Sequence, residues 1–220
     1  MTHASRPAQP LQPPQSGGAV ETDIRPLMSA FPSGVSVVTS LGTDSEPRGM
    51  TCSSLASVAL SPPTVVLCLR TESPTTQAVL ETGQVAVNLL HEQARPVSDL
   101  FASGDPERFA RTEWRLPLGA GGPHLTGAAH AIADGEVAHA VEFGDHTAVF
   151  VRVHRVSLHE EAQPLLYGRR RYARWSDATS VPGPPAAAPP EPVAPAPARA
   201  SAPAAVSAPA APEEAARVRP

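Results

Sequence analysis

The sequence predicts a mainly β fold, an antiparallel, Greek-key-like barrel with a few helices packed on its outside. Short runs of alternating apolar and polar residues recur between turn signals from Val35 to Leu158. Only a few stretches have the spacing of an amphipathic helix. The length of 220 residues allows one domain of ordinary size. A formal net charge of −4 argues against a nucleic-acid partner, which usually requires a basic surface.

Two low-complexity tails flank the predicted domain. Residues 1–22 are rich in Pro, Gln and Ser, and residues 176–220 consist mostly of Ala, Pro, Glu, Arg, Ser and Val. Neither tail has a pattern that can bury a core, so we expect disordered extensions around a domain at 23–175. The C-terminal tail is a solvated extension or a docking segment. Without a signal peptide or a run of about 20 apolar residues, the chain is predicted to be cytoplasmic.

The first predicted elements are a short helix and a pair of strands. The helix begins at the N-cap Asp23, and its apolar face consists of Ile24, Leu27, Met28 and Phe31. The alternation from Val35 to Leu41 predicts a strand. After a turn, the chain is expected to return as the next strand within Gly49–Pro63.

The stretch from Gly49 to Pro63 mixes hydroxyl side chains with strand-forming apolar ones. Its side-chain donors and acceptors are supplied by Thr51, Ser53, Ser54 and Ser57. Small side chains there let a planar ligand approach the backbone closely. The pattern therefore fits a ligand-lining strand, and it also fits a Ser-rich strand and turn without a ligand.

The next predicted segments are a central strand, a capped helix and a further strand. Thr64–Leu69 is apolar on both faces, and Gln84–Leu90 has Asn88 among apolar neighbours. Between them a helix is expected from the N-cap Ser73 and Pro74 to Gly83. The hydroxyls at its start, with Arg70 close by, form a candidate anion site.

The second half of the domain is predicted to contain helical segments followed by strands. We expect one helical segment around Val97 and Phe101 and a second short helix at Asp105–Trp114. Two or three strands follow within Ala128–Leu158, with turns at Asp134-Gly135 and Gly144-Asp145. The remaining segments are a Gly-rich loop at Pro117–Pro123 and a closing stretch at Leu165–Trp175.

The motifs of common hydrolases, zinc proteases and Rossmann enzymes are missing from the sequence. Cys52 and Cys68 are predicted to be buried, reduced thiols, because their spacing fits neither a disulfide framework nor a metal site. No metal site is predicted. His146 follows Gly144-Asp145 at the mouth of a strand, where a polar turn residue is common.

Several of these segments, in order, resemble the flavin reductase family, small reductases with an FMN-binding split β-barrel. The resemblance extends over 23–175. The segments that carry it are Phe31–Thr39, Gly49–Pro63, Ser73–Thr75, Val87–Leu90, Gly144–Thr147 and Pro164–Tyr172. This chain departs from the family where it has Ser53 in place of a frequent Asn, Leu55 in place of an aromatic residue, and Arg170 in place of a frequent Gly.

The resemblance implies where the cofactors bind. Ser73 and Thr75 correspond to the phosphate-binding segment, and His146 corresponds to the histidine near the nicotinamide. No catalytic acid or base is required, because hydride passes between the two cofactors. The implied cofactor-binding residues are Thr51, Cys52, Ser53, Ser54, Ser57, Val58, Ser73, Thr75, Asn88, Tyr167 and Arg169.

The function implied by the resemblance is reduction of FMN, FAD or riboflavin by NADH or NADPH. The reduced flavin would be supplied to a partner flavin-dependent monooxygenase, and the reductase would be a homodimer. The alternative is a flavin- or haem-binding split-barrel protein without reductase turnover.

Overall fold

The computed structural model describes residues 22–159 and 162–179. The predicted disordered tails lie almost entirely outside these described residues. At the C-terminal end, a helix at Trp175–Thr179 continues past the predicted end of the domain at Trp175.

The described chain is mostly β-strand, with four helices. The helices are α1 (Arg25–Ala30), α2 (Pro74–Thr82), α3 (Arg95–Ser103) and α4 (Trp175–Thr179). The strands are β1 (Ser33–Gly34), β2 (Ser36–Leu41), β3 (Pro47–Cys52), β4 (Leu55–Leu60), β5 (Pro63–Arg70), β6 (Gln84–Leu90), β7 (Ala129–Phe143), β8 (His146–Leu158), β9 (Leu165–Gly168) and β10 (Arg171–Arg174). None of the helices described is long and apolar enough to cross a membrane.

Seven antiparallel strands form the main sheet, in the order β3-β2-β6-β7-β8-β5-β4. Its two edge strands, β3 and β4, are consecutive in the chain and lie at opposite ends of the sheet. The sheet therefore curls until these edges meet, and the Cys52 thiol of β3 lies 4.0 Å from Cys68 O of β5. No ladder joins β3 to β4 within the described strands, so the barrel is split along this line. The predicted split-barrel fold is confirmed.

Two apolar clusters lie on the two sides of β2. Val38 points into the barrel interior with residues such as Leu67, Leu69 and Val149. Val37 points the other way, towards a second cluster that includes Phe101 of α3. Because both of its faces are covered, β2 is buried from Ser36 to Ser40 rather than on one alternating face. Its buried hydroxyls are satisfied by backbone carbonyls, as when Thr39 Oγ1 donates to Pro123 O at 2.6 Å.

Helix α2 has the predicted caps. The Ser73 side chain accepts a hydrogen bond from the Thr75 amide at 3.2 Å, and Pro74 is the first helical residue. Gly83 ends the helix with a left-handed φ of 68°, and its amide donates to Val79 O. Val79 is fully buried in the barrel cluster, so α2 covers one end of the barrel.

The predicted helix at Asp105–Trp114 is wrong, because this segment forms a series of turns. The Asp105 side chain accepts from the Glu107 amide at 2.8 Å, which holds the chain in a local turn. Phe109 and Trp114 of this segment pack against the cluster that contains Phe101. The rings of Phe109 and Phe101 meet edge-on with centroids 5.1 Å apart. Packing of aromatic rings therefore takes precedence over helix propensity in this segment.

The predicted turn at Asp134-Gly135 is also wrong, because both residues lie inside the long strand β7. The pairing register of β7 with β8 shifts between them, so the pair marks a β-bulge. A side chain at Gly135 would meet Arg152 O at 2.5 Å, which explains the glycine by close backbone approach. The other predicted turn, at Gly144-Asp145, connects β7 to β8 as expected.

Candidate functional site

The predicted ligand strand Gly49–Pro63 is divided into β3 and β4 by Ser53 and Ser54. Both serines are exposed, and they lie where the two edges of the sheet meet. Their hydroxyls and the Ser53 amide donate no hydrogen bond within the described residues, whereas the Ser54 amide donates to the Cys52 thiol. The seam of the barrel therefore presents unused hydrogen-bond donors to solvent.

A cleft of about 650 Å³ opens beside this seam. One wall comes from α1 and the residues after it, and the other comes from β4, β5 and the β9–β10 turn. Its lining is mainly apolar, with hydroxyl groups and two arginines. The lining residues are Arg25, Met28, Ser29, Phe31, Ser33, Ser53, Ser54, Leu55, Ala56, Val66, Cys68, Tyr167 and Arg170.

The two cysteines occupy opposite sides of the barrel wall. Cys52 is buried in the interior, where burial raises the pKa of its thiol to about 11. Cys68 is exposed and lines the cleft, so the prediction that both thiols are buried is wrong for Cys68. Because side chains alternate along a strand, Val66 and Cys68 face the cleft while Leu67 and Leu69 fill the core.

The other predicted residues of the seam segment do not line the cleft. Thr51 faces α3, where its hydroxyl donates to Ser98 O at 2.7 Å. Cys52 faces the barrel core, as described above. Ser57 and Val58 are exposed on β4 beyond the cleft. Of the seam residues predicted to bind flavin, the structure thus brings only Ser53 and Ser54 to the cleft.

Asn88 was predicted to bind a cofactor, but its side chain is fully buried and fully bonded to the protein. Its Nδ2 donates to Val37 O at 3.2 Å, to Thr39 Oγ1 at 3.1 Å and to Pro123 O at 3.2 Å. Its Oδ1 accepts from the Leu125 amide at 2.8 Å. The amide side chain therefore fastens the 123–125 loop to β2 and β6, and no polar atom remains for a ligand.

The start of α2 is less open to an anion than its sequence indicates. Thr75 is 1% exposed, and the Ser73 hydroxyl is already occupied as the helix cap. A neighbouring hollow of about 430 Å³ contains Arg70, but it also contains three carboxylates, from Glu72, Glu142 and Asp145. These negative charges oppose binding of a phosphate in that hollow.

His146 lies at the first position of β8, opposite Arg70 of β5. Its side chain is 46% exposed, and Nδ1 lies 2.8 Å from Asp145 Oδ1. The hydrogen bond from His146, together with the histidine's charge, lowers the pKa of Asp145. The contact orients the imidazole and leaves Nε2 available to a ligand.

The closing hairpin brings Tyr167 and Arg170 to the cleft. Arg169 was predicted to bind the cofactor, but it is the neighbouring Arg170 that lines the cleft. The Arg169 amide instead donates to Ser29 O, which ties the hairpin turn to α1. Tyr167 also contacts Tyr172, with ring centroids 5.2 Å apart.

Most of the remaining lining residues were not predicted as site residues. Met28 lies on α1 and Phe31 directly follows it, and both belong to the apolar face of the predicted amphipathic helix. However, α1 buries none of its residues against the rest of the described chain. The helical spacing of these apolar residues was the one feature of the sequence that could have identified them, because an apolar face left exposed is often a binding surface.

The cleft residues fit a flavin. Apolar side chains such as Met28, Phe31 and Leu55 can pack against a planar ring, and the unused hydroxyls of Ser53 and Ser54 can bind its polar edge. Among the described residues, no group of three or more His, Cys, Asp and Glu is placed to hold a metal ion. The apolar walls and the serine hydroxyls of the cleft are suited to binding and orienting an organic cofactor.

Comparison with known proteins gives consistent matches. Residues 28–176 match the family described as flavin reductase like domain. The chain is 42% identical over 154 residues to a flavin reductase (NADPH) of Lentzea aerocolonigenes, covering 70% of this chain and 89% of that protein. It is 35% identical over 162 residues to the HsaB reductase subunit of a flavin-dependent monooxygenase of Rhodococcus jostii RHA1, covering 73% of this chain and 80% of that protein.

A similar solved structure is the NADH:FAD oxidoreductase SgcE6 of Streptomyces globisporus C-1027, in complex with NAD and FAD fragments. The TM-score is 0.65 at 31% identity, and the alignment covers 69% of this chain and 90% of that chain. The family match extends over more than half of the sequence, and it includes the seam, the closing hairpin and every cleft-lining residue except Arg25. The chain therefore belongs to the flavin reductase-like family.

Proposed function

We propose that the protein is an NAD(P)H-dependent flavin reductase that binds its flavin in the cleft beside Ser53 and Ser54. The observation that carries this proposal is the pair of exposed serines, whose hydroxyls and Ser53 amide are unused donors placed against an apolar wall. Such donors stabilise negative charge on a bound ring best when they are fixed before binding. The two ladders that end at Cys52 and begin at Leu55 fix them here.

The bound cofactors supply the hydride chemistry, and the chain binds and orients them. Met28 and Phe31 on one wall and Leu55 on the other provide the apolar surfaces that a bound ring would cover. The imidazole of His146, held by Asp145, provides the predicted contact for the nicotinamide. Ser73 and Thr75 stay predicted phosphate contacts, through the backbone N–H groups of the α2 start.

The partner implied by this activity is a flavin-dependent monooxygenase that consumes the reduced flavin. The HsaB relative carries this role in its name, as the reductase subunit of such an enzyme. The proposal includes a homodimer, because α1 leaves its apolar residues exposed beside the cleft. A second copy that covers α1 would complete the cleft wall.

The test is NADH and NADPH oxidation by the purified protein, with and without added FMN, FAD or riboflavin. We expect oxidation only when a flavin is present, measured as loss of the nicotinamide absorbance under nitrogen and in air. Flavin binding without oxidation of either nicotinamide would replace the reductase with the binding-only alternative. Absence of both binding and oxidation would contradict the assignment of the cleft.

A further inference from the structure

The cleft has an uncompensated positive charge at one place. Arg25 and Arg170 are the charged residues in its lining, which includes no Asp or Glu. Arg25 is neutralised by Asp23, with Nε to Oδ1 at 2.8 Å and Nη2 to Oδ2 at 3.0 Å. Arg170 has no hydrogen bond or ion pair within the described residues. The free guanidinium of Arg170 therefore sets the charge of the cleft.

The backbone at Arg170 is unusual for an arginine. Arg169 and Arg170 form the two-residue turn between β9 and β10, with φ of 48° and 59°. Two-residue hairpins with positive φ at both positions favour Asn and Gly, which reach the left-handed region at little cost. Backbone preference does not explain an arginine at this position, so we infer that its side chain, which lies beside the cleft, has a function.

The hollow beside α2 has the opposite electrostatic character. There Arg70 is surrounded by Glu72, Glu142 and Asp145, so an anion would meet three carboxylates. At the Arg170 end, an anion meets a guanidinium and no carboxylate in the lining. Guanidinium is also the group that best matches the geometry of a phosphate oxygen pair.

We propose that Arg170 binds a phosphate group of a nucleotide cofactor held in the adjoining cleft and thereby determines which cofactor the protein prefers. This inference rests on the proposed function, because it takes the cleft to hold flavin. The phosphate has two possible sources, the flavin nucleotide or the nicotinamide dinucleotide. Riboflavin, which has no phosphate, separates the contribution of Arg170 from that of the ring.

The experiment compares Arg170→Asn and Arg170→Lys with the unmodified full-length protein. Asn tolerates the left-handed backbone and removes the charge, whereas Lys keeps the charge on the same backbone. Arg174→Asn is the matched control, because it makes the same charge change on the same hairpin outside the cleft. Dissociation constants for riboflavin, FMN and FAD are measured by fluorescence, and the KM for NADH is measured at saturating riboflavin.

We expect Arg170→Asn to weaken the binding of one phosphate-bearing ligand by about tenfold, and Arg170→Lys to weaken its binding less. A loss for FMN or FAD with riboflavin unchanged assigns the phosphate to the flavin. A rise in KM for NADH with flavin affinities unchanged assigns it to the nicotinamide dinucleotide.

Equal weakening of riboflavin and FMN, or no change in any constant, would overturn the inference. So would an equal effect of Arg174→Asn. If the unmodified protein bound no flavin at all, the proposed function itself would fail, and the role of Arg170 would fail with it. Circular dichroism of each variant establishes that the compared proteins are folded.

Discussion

At the scale of single residues, burial separates structural polar groups from those that can bind a ligand. Asn88 and Ser53 are both polar residues in strand-forming sequence, yet Asn88 is fully buried and Ser53 is exposed at the seam. Every hydrogen bond of the Asn88 side chain is made with β2 or with the 123–125 loop. Ser53 has no such partner, so its donors remain for a ligand.

Asn88→Ala is expected to lower the free energy of unfolding by about 2–4 kcal/mol, because it leaves the buried Leu125 amide without a partner and removes one of the two hydrogen bonds to the Pro123 carbonyl. Urea denaturation measures the change. Gln77→Ala, at an exposed position of α2, is the control and should stay within about 0.5 kcal/mol. The flavin affinity of the folded variant should equal that of the unmodified protein. Unchanged stability with lost flavin affinity would restore the cofactor role of Asn88.

His146→Ala is expected to raise the KM for NADH by about tenfold, which corresponds to loss of one hydrogen bond to a ligand. Flavin affinity should be unchanged, because His146 lies on the hairpin away from the lining of the cleft. Steady-state kinetics and flavin titration measure the two quantities. His154→Ala, an exposed histidine on the same strand, is the control. Weaker flavin binding with an unchanged KM for NADH would contradict the nicotinamide assignment.

The sequence predicted part of the site and could not predict the rest. Ser53 and Ser54, which belong to the hydroxyl-rich stretch, line the cleft, and so does Tyr167, which the family resemblance implies. Thr51 and Cys52 have the same local pattern but face α3 and the barrel core. Which face of a strand meets the ligand depends on the pairing of distant strands, and alternation alone does not specify it.

At the scale of elements, local signals predicted both ends of α2, whereas the N-cap of α1 is Ile24 rather than the predicted Asp23. Ser73, Pro74 and Gly83 mark α2 in the sequence, because caps act through the backbone of the same helix. The Asp134-Gly135 pair looks like a turn, but β8 continues the pairing on both sides of it. Whether such a pair forms a turn or a bulge depends on the partner strand.

Helix α2 offers a test of the phosphate prediction that separates stability from binding. Ser73→Ala removes the cap and should lower the free energy of unfolding by about 1 kcal/mol. Ser73→Asp keeps a capping oxygen but places a negative charge where a phosphate would bind. It should therefore retain stability and weaken FMN more than riboflavin. Thermal melts and flavin titrations give both quantities. Equal FMN affinity in Ser73→Asp and the unmodified protein would remove the start of α2 from the site.

At the scale of the whole molecule, the sheet order explains why the site forms where it does. Consecutive strands β3 and β4 belong to opposite edges of the sheet, so closing the barrel leaves Ser53 and Ser54 in the seam. The sequence pattern predicts several of the strands, such as β6 at Gln84–Leu90. Their spatial order does not, because it depends on long-range pairings such as β5 with β8.

A buried charge network links the glycine-rich loop to the long hairpin and predicts acid sensitivity. Burial acts to raise the pKa of Asp134, but hydrogen bonds from Arg155, His124 and the Gly121 amide outweigh it and lower the pKa below the ordinary value. A carboxylate with a lowered folded pKa stabilises the protein above its unfolded pKa of about 3.9. This contribution is lost as the pH falls through the folded pKa.

Asp134→Asn is expected to lower the free energy of unfolding at pH 7 by about 3 kcal/mol and to reduce its loss between about pH 5 and pH 2. Urea denaturation across this pH range measures both effects. Asp99→Asn, which removes an exposed carboxylate paired with Arg95, is the control and should change little. An acid transition in Asp134→Asn as steep as in the unmodified protein would place the acid sensitivity elsewhere.

The exposed face of α1 makes the oligomeric state the last prediction. Ile24, Leu27, Met28 and Phe31 are 61%, 70%, 53% and 67% exposed, and a helix of 6 residues is too short to be stable without packing. We therefore expect a homodimer that covers α1, and light scattering at micromolar concentration should give twice the chain mass. Leu27→Glu should yield a folded monomer with weaker flavin binding, since Met28 and Phe31 line the cleft. Leu118→Glu, at a fully exposed loop position, should stay dimeric. A monomeric unmodified protein with full reductase activity would contradict the dimer and leave the flavin to cover α1 alone.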